Sequence, residues 1–294
     1  MIILLPVCQP GDALPTLVAD LRAAAPDLTV VVVDDGSTGP APVDALRAAR
    51  DRGATVLRHR RNLGKGVALR TGFRYALRTL PGQDVVCADA DGQHRTEDIL
   101  RVAERVRATG AVVLGVRRFT GRVPLRSRLG NGATRLLFRA VTGHDVRDTQ
   151  TGLRGFPAAR LDWLLGVPGD RFDYEMAVLL AAVQAGDRVE QATVATRYLA
   201  GNSSSHFSAL ADSARVYRPL LRHAYLRATG RADQARPGRT AAPTVDAMPT
   251  DAAPGAETVP TDAAPSAETV PTDAAPTVDA APTEGVAPGG GAGR

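Results

Sequence analysis

Asp84-Val85-Val86-Cys87-Ala88 runs directly into Asp89-Ala90-Asp91-Gly92-Gln93-His94. The first five residues read as a short buried strand, and Thr96–Thr109 follows with helical spacing. Two carboxylates spaced i, i+2 at a strand end can converge on one divalent cation. Gly92 permits a sharp turn and Gln93 adds a neutral oxygen. Such hard oxygen ligands suit Mg²⁺ or Mn²⁺ bridging to a diphosphate. The same residues would also serve as an acidic turn ahead of a helix. His94 reads as a neighbour of the site rather than a ligand.

The pattern around this stretch repeats. Ile2–Pro6, Leu28–Val33, Thr55–Arg58 and Ala111–Val116 read as strands. Ala13–Ala25, Asp44–Arg52 and Lys65–Leu80 read as helices. Strands alternating with helices predict βαβ units and a Rossmann-like, mostly parallel sheet flanked by helices. In such sheets ligands bind at the carboxyl ends of strands. Beyond residue 118 the pattern is less regular. Helices are expected over 129–142, 161–165, 172–186 and 208–228, a strand over 189–198, and short strands within 143–156.

Three further polar patches fall near strand ends or helix starts. Asp34-Asp35-Gly36-Ser37-Thr38 suits hydrogen bonding to a base or ribose, or a capped turn. Arg60-Arg61-Asn62-Leu63-Gly64-Lys65-Gly66 opens a helix, where glycines allow close approach and the N-terminus favours an anion. Lys65 is the only lysine in the chain, as expected of a position that wants a compact point charge. The third patch is dispersed. It comprises Arg117 and Arg118, then Arg126-Ser127-Arg128, Asp148-Thr149-Gln150-Thr151-Gly152-Leu153-Arg154, and Arg171-Phe172-Asp173-Tyr174-Glu175. Neither a G-x-G-x-x-G turn after the first strand nor a P-loop spacing is present.

Composition removes other classes. The 294 residues carry +5 overall, but eight acids and a single base lie within Ala241–Arg294. The remainder is therefore strongly basic. Pro249–Val259 is repeated as Pro260–Val270, and Pro-rich, core-poor sequence of this kind predicts a disordered tail over 230–294. No run of about 18 apolar residues exists to span a bilayer. Cys8 and Cys87 make neither a disulfide framework nor a zinc site, which fits a cytoplasmic protein. With 4% aromatic residues and no nucleic-acid module, nucleic acid is not an expected partner. Phe207, Leu210, Ala214, Tyr217, Leu221 and Ala224 recur at helical spacing among Arg215, Arg218, Arg222 and Arg227. Such a basic amphipathic helix can pack on the domain or lie on an anionic bilayer.

Asp34-Asp35-Gly36-Ser37, Arg61–Gly66, Asp89–Gln93 and Asp148–Arg154 occur in an order that resembles family 2 glycosyltransferases. Among these the chain is similar to the dolichyl- or polyprenyl-phosphate sugar synthases. The resemblance covers about residues 1–220. It implies a GT-A type fold over 1–229, with a nucleotide-sugar half at about 1–118 and an acceptor half at about 119–229. It implies a metal-dependent, inverting transfer from a GDP- or UDP-sugar to a polyprenyl phosphate at the inner membrane face. Pro6 and Asp35 would hold the nucleoside, and Asp89, Asp91 and Gln93 the Mg²⁺ or Mn²⁺ with the diphosphate. Lys65 and Arg117 are candidate phosphate contacts, and Arg126, Ser127 and Arg128 candidate acceptor-phosphate contacts. Gln9-Pro10 stands where many relatives carry Asn-Glu. A saccharide hydroxyl acceptor, with Asp173 or Glu175 as base, is the alternative enzyme. A nucleotide-sugar-binding scaffold is the non-catalytic one.

Overall fold

A computed structural model describes residues 1–118, 125–195, 211–229 and 246–247; within these ranges, the side chains of 118, 125–131, 211–216, 226–228 and 246–247 lie outside the description. The first half alternates β1 (Ile2–Val7), α1 (Ala13–Ala24), β2 (Thr29–Asp34), α2 (Pro40–Asp51), β3 (Thr55–Arg58), α3 (Lys65–Thr79), β4 (Val85–Cys87), α4 (Thr96–Thr109) and β5 (Val112–Arg118). The second half contains α5 (Leu125–Thr142), β6 (Arg154–Phe156), α6 (Leu161–Leu165), α7 (Asp173–Gln184), β7 (Val189–Ala195), α8 (Ala211–Ala228) and β8 (Asp246–Ala247).

The strands form one sheet in the order β7-β5-β6-β4-β1-β2-β3-β8. β1 pairs in parallel with β2 and β4, β2 with β3, and β5 with β7. β6 is inserted antiparallel between β4 and β5, and β8 pairs antiparallel with β3 at the edge. Alternation along each strand divides the core. Ile3, Leu5, Val30 and Val32 face α1 and α4, packing with Leu14, Val18, Ile99 and Val102. Ile2, Leu4, Val31 and Val33 face the other way, against Leu69 and Phe73 of α3 and Tyr174 of α7. Both faces are buried, so these strands read as unbroken apolar runs. A third cluster joins Leu114 and Val116 of β5 to Phe138 of α5, Leu179 of α7 and Leu220 of α8.

Two helices begin earlier than their apolar spacing indicates. α2 starts at Pro40, whose fixed φ suits the first turn. α5 starts at Leu125, which places the backbone of Arg126, Ser127 and Arg128 in its first turn. Within the stretch expected as tail, Asp246–Ala247 pairs antiparallel with Leu57 and Arg58 of β3. An edge strand offers unpaired backbone groups for such an addition. The described residues lie within a compact unit spanning Met1–Pro249. The repeat region from Thr250 onward lies outside them.

Candidate active site

The register Pro6↔Val33 and Val7↔Asp34 aligns the carboxyl ends of β1 and β2. Asp34 is fully buried and accepts hydrogen bonds from the backbone N–H and the hydroxyl of Ser37. Gly36 has φ +74°, and a Cβ there would meet the Arg61 carbonyl carbon at 2.2 Å. That closeness brings the Arg61–Gly66 segment against the Asp34–Ser37 turn.

Asp35 makes the join. Its Oδ1 accepts the Leu63 N–H at 2.8 Å and lies 2.8 Å from His59 Nδ1. Its Oδ2 accepts the Gly64 N–H at 2.7 Å. His59 Nε2 in turn lies 3.0 Å from the Thr71 hydroxyl. Burial alone would raise the Asp35 carboxyl. The His59 contact and the two N–H groups outweigh it and hold the carboxyl below the ordinary aspartate value. Asp35, expected as a nucleoside contact, therefore also fixes the start of α3.

Asp89 follows β4. Its Oδ1 receives the Lys65 ammonium at 2.6 Å, and its Oδ2 lies 4.0 Å from His94 Nε2. Burial would raise its carboxyl, but Lys65, His94 and Arg117 outweigh this and hold it at about 2. Lys65 also reaches Glu175 Oε2 at 3.1 Å. Burial would lower the Lys65 ammonium, yet the two carboxylates lift it above its ordinary value. Asp91 is raised, first by burial and then by repulsion from Asp89. Gln93 clasps it, donating its backbone N–H at 3.0 Å and its amide N–H at 2.7 Å. A Cβ on Gly152 would stand 2.1 Å from Asp89 Oδ2, so the Asp148–Arg154 segment lies directly on that carboxylate.

Arg117, at the end of β5, grips the fully buried Asp148 with two bonds, at 2.6 and 3.1 Å. Arg154 is buried and donates to the backbone oxygens of Thr151, Glu175 and Thr149. Asp173 accepts the Arg171 N–H at 2.9 Å. The structure thus brings Lys65, Asp89, Asp91 and Gln93 together, with Arg117 near enough to Asp89 to lower its carboxyl. Pro6 and Asp35 lie at neighbouring strand ends. The side chains of Arg126, Ser127 and Arg128 lie outside the described residues. The partnerships of Lys65 with Glu175, of His59 with Asp35 and of Gly152 with Asp89 carry no local sequence signal. Each joins residues far apart in the chain.

Asp89 and Asp91 supply two hard carboxylate oxygens, and their mutual repulsion is what a cation would relieve. Among the described residues no group of three or more His, Cys, Asp or Glu is arranged around one metal position. An ion here would therefore complete its shell with Gln93, water and diphosphate oxygens, which suits Mg²⁺ and Mn²⁺.

The family model for glycosyl transferase family 2 matches residues 2–160. The chain belongs to this family. Within it, the chain is 34% identical over 164 residues to an undecaprenyl-phosphate mannosyltransferase of Micrococcus luteus, covering 54% of this chain and 66% of that protein. It is 29% identical over 163 residues to a polyprenol monophosphomannose synthase of Mycolicibacterium smegmatis, covering 53% and 60%. The chain thus spans less than two thirds of the length of each. Glucosyl-3-phosphoglycerate synthase of Mycobacterium tuberculosis, solved with Mn²⁺, UDP-glucose and phosphoglyceric acid, superposes with a TM-score of 0.58. That match covers 76% of this chain and 79% of the other at 19% identity, and shows a shared GT-A fold.

Proposed function

We propose that this family 2 glycosyltransferase moves a sugar from a nucleoside-diphosphate donor to a polyprenyl phosphate, with inversion. The observation that carries this is the Asp89–Asp91 pair at the carboxyl end of β4, with Lys65 beside it and Arg117 close by. The names of the two bacterial relatives support the acceptor class.

In this reading Pro6 and Asp35 border the nucleoside, and Asp89, Asp91 and Gln93 hold the ion with the diphosphate. A bound Mg²⁺ or Mn²⁺ supplies Lewis-acid neutralisation of the leaving diphosphate. Lys65 adds a point charge beside that group. A phosphate oxygen of the acceptor attacks the anomeric carbon from the face opposite the diphosphate, and the bond to the diphosphate breaks. The nucleophile is already an anion, so no residue has to remove a proton from it. Arg117, held by Asp148, and the first turn of α5 with Arg126, Ser127 and Arg128 would bring the two anions together. The rival reading, a hydroxyl acceptor, needs a base. Glu175 is paired with the Lys65 ammonium, which favours the phosphate.

The membrane surface is the expected place of work. No helix among the described residues is long and apolar enough to cross a bilayer. α8 turns Tyr217 and Leu220 toward the domain, while Leu221 and Tyr225 are 59% and 62% exposed and Arg218 and Arg222 are also exposed. That outer face suits contact with an anionic surface.

The test is a panel of radiolabelled GDP- and UDP-sugars with Mn²⁺ and undecaprenyl phosphate. Label should enter organic solvent only when the lipid phosphate is added, and Asp89→Ala should abolish the transfer. Transfer to free saccharide instead, or full turnover by the variant, would overturn the proposal.

A further inference from the structure

The chain's single lysine stands between two carboxylates contributed by different elements. Lys65 Nζ is 2.6 Å from Asp89 Oδ1 and 3.1 Å from Glu175 Oε2. The ring of Phe172 lies on another side, its centroid 5.9 Å away. The two carboxylates differ in depth. Asp89 is 35% exposed, whereas Glu175 is 12% exposed. Asp89 and Glu175 thus share one ammonium, while Arg117 is engaged by Asp148. A carboxylate as buried as Glu175 needs a counter-charge. A compact ammonium on a flexible stem can supply it and can also move.

Resting on the metal reading proposed above, we infer that Lys65 is an exchangeable counter-ion. It serves Asp89 when no divalent cation is bound and passes to Glu175 when the ion takes Asp89. Glu175 is then a positioning residue that acts through Lys65. It keeps the ammonium within the site, beside the incoming diphosphate, instead of releasing it to solvent. A single-partner lysine would have to give up its only ion pair each time the donor loaded. The second carboxylate removes that cost. The backbone holds both ends of the device in place. Gly64 and Gly66 bring the start of α3 against Asp170 and Tyr174, and the Glu175 carbonyl is held by Arg154.

Two measurements other than turnover test this. First, lysine labelled with ¹³C at Cε gives one side-chain signal in the unmodified chain. Titration with Mg²⁺ in the presence of GDP or UDP should move that signal. Second, Mn²⁺ affinity can be read by electron paramagnetic resonance without nucleotide, where Lys65 competes with the ion and has no diphosphate to hold. Lys65→Met should bind Mn²⁺ at least about tenfold more tightly, because a competing charge is gone. Glu175→Gln should weaken binding in the wild-type background and have a clearly smaller effect in the Lys65→Met background, the non-additivity expected of coupled residues. A Lys65 signal that stays fixed at saturating ion, or equal effects of Glu175→Gln in both backgrounds, overturns the exchange. Equal Mn²⁺ affinity in wild type and Asp89→Ala would instead remove the ion from Asp89, and the metal reading would fall first.

Discussion

Gly152 shows how one missing Cβ can set the position of a carboxylate. The backbone of the Asp148–Arg154 segment lies so close to Asp89 that any side chain at 152 would strike its Oδ2 at 2.1 Å. Gly152→Ala should therefore push the Asp89 carboxylate away from Lys65. Displacement of a reacting group by about 1 Å can cost about 100-fold. We expect a loss of that order in kcat/KM, with the fold kept as judged by circular dichroism. Unchanged turnover would mean that Asp89 does not need this position.

α3 is positioned by its first residues, and those are held from a distance by Asp35. The helix has no side-chain cap of its own. Instead the carboxylate at the end of β2 takes up the Leu63 and Gly64 N–H groups and reaches His59 and, through it, Thr71. Asp35→Asn presents an N–H where an acceptor is needed, leaving a buried donor unmet at about 1–3 kcal/mol. The folded carboxyl sits below its ordinary value, so its contribution is complete above the unfolded value of about 3.9 and fades as pH falls through the folded one. The stability gap between wild type and Asp35→Asn, measured by urea unfolding, should be full near neutral pH and shrink in acid below about pH 4. α8 makes a second case. Its inward face packs through Leu220, while Leu221 and Tyr225 point outward. Replacing both by Ser should lower partition onto anionic vesicles by about tenfold and leave thermal stability nearly unchanged. Equal sedimentation with vesicles would take α8 out of the membrane contact.

For the molecule as a whole, the decisive feature is one sheet whose parallel strands end on a common rim. β6, inserted antiparallel between β4 and β5, carries Arg154 from the Asp148–Arg154 segment to a place opposite Cys87 and links the two halves of the domain. The compact unit ends at Pro249, and every described site residue lies within it. Removing Thr250–Arg294 should therefore change Tm by less than about 2 °C and leave transfer intact. A large drop in either would assign the repeats a role in the folded unit.

Much of this was legible in the chain. Unbroken apolar runs such as Val30–Val33, followed by helical spacing, dictate a covered parallel sheet, because strands buried on both faces cannot alternate. Acidic and Gly-rich patches at strand ends mark the rim, because backbone alone places those ends together. Asp89, Asp91, Gln93 and Lys65 were visible for that reason, each lying within a few residues of a strand end or a helix start. Other features only the tertiary structure decided. Lys65 meets Glu175 across 110 positions of sequence, Arg117 meets Asp148 across 31, and Asp35 closes on Gly64 across 29. Local spacing carries no trace of such pairs. They exist because separate helices and loops are packed onto the same strand ends, where buried charges must find partners or leave the core.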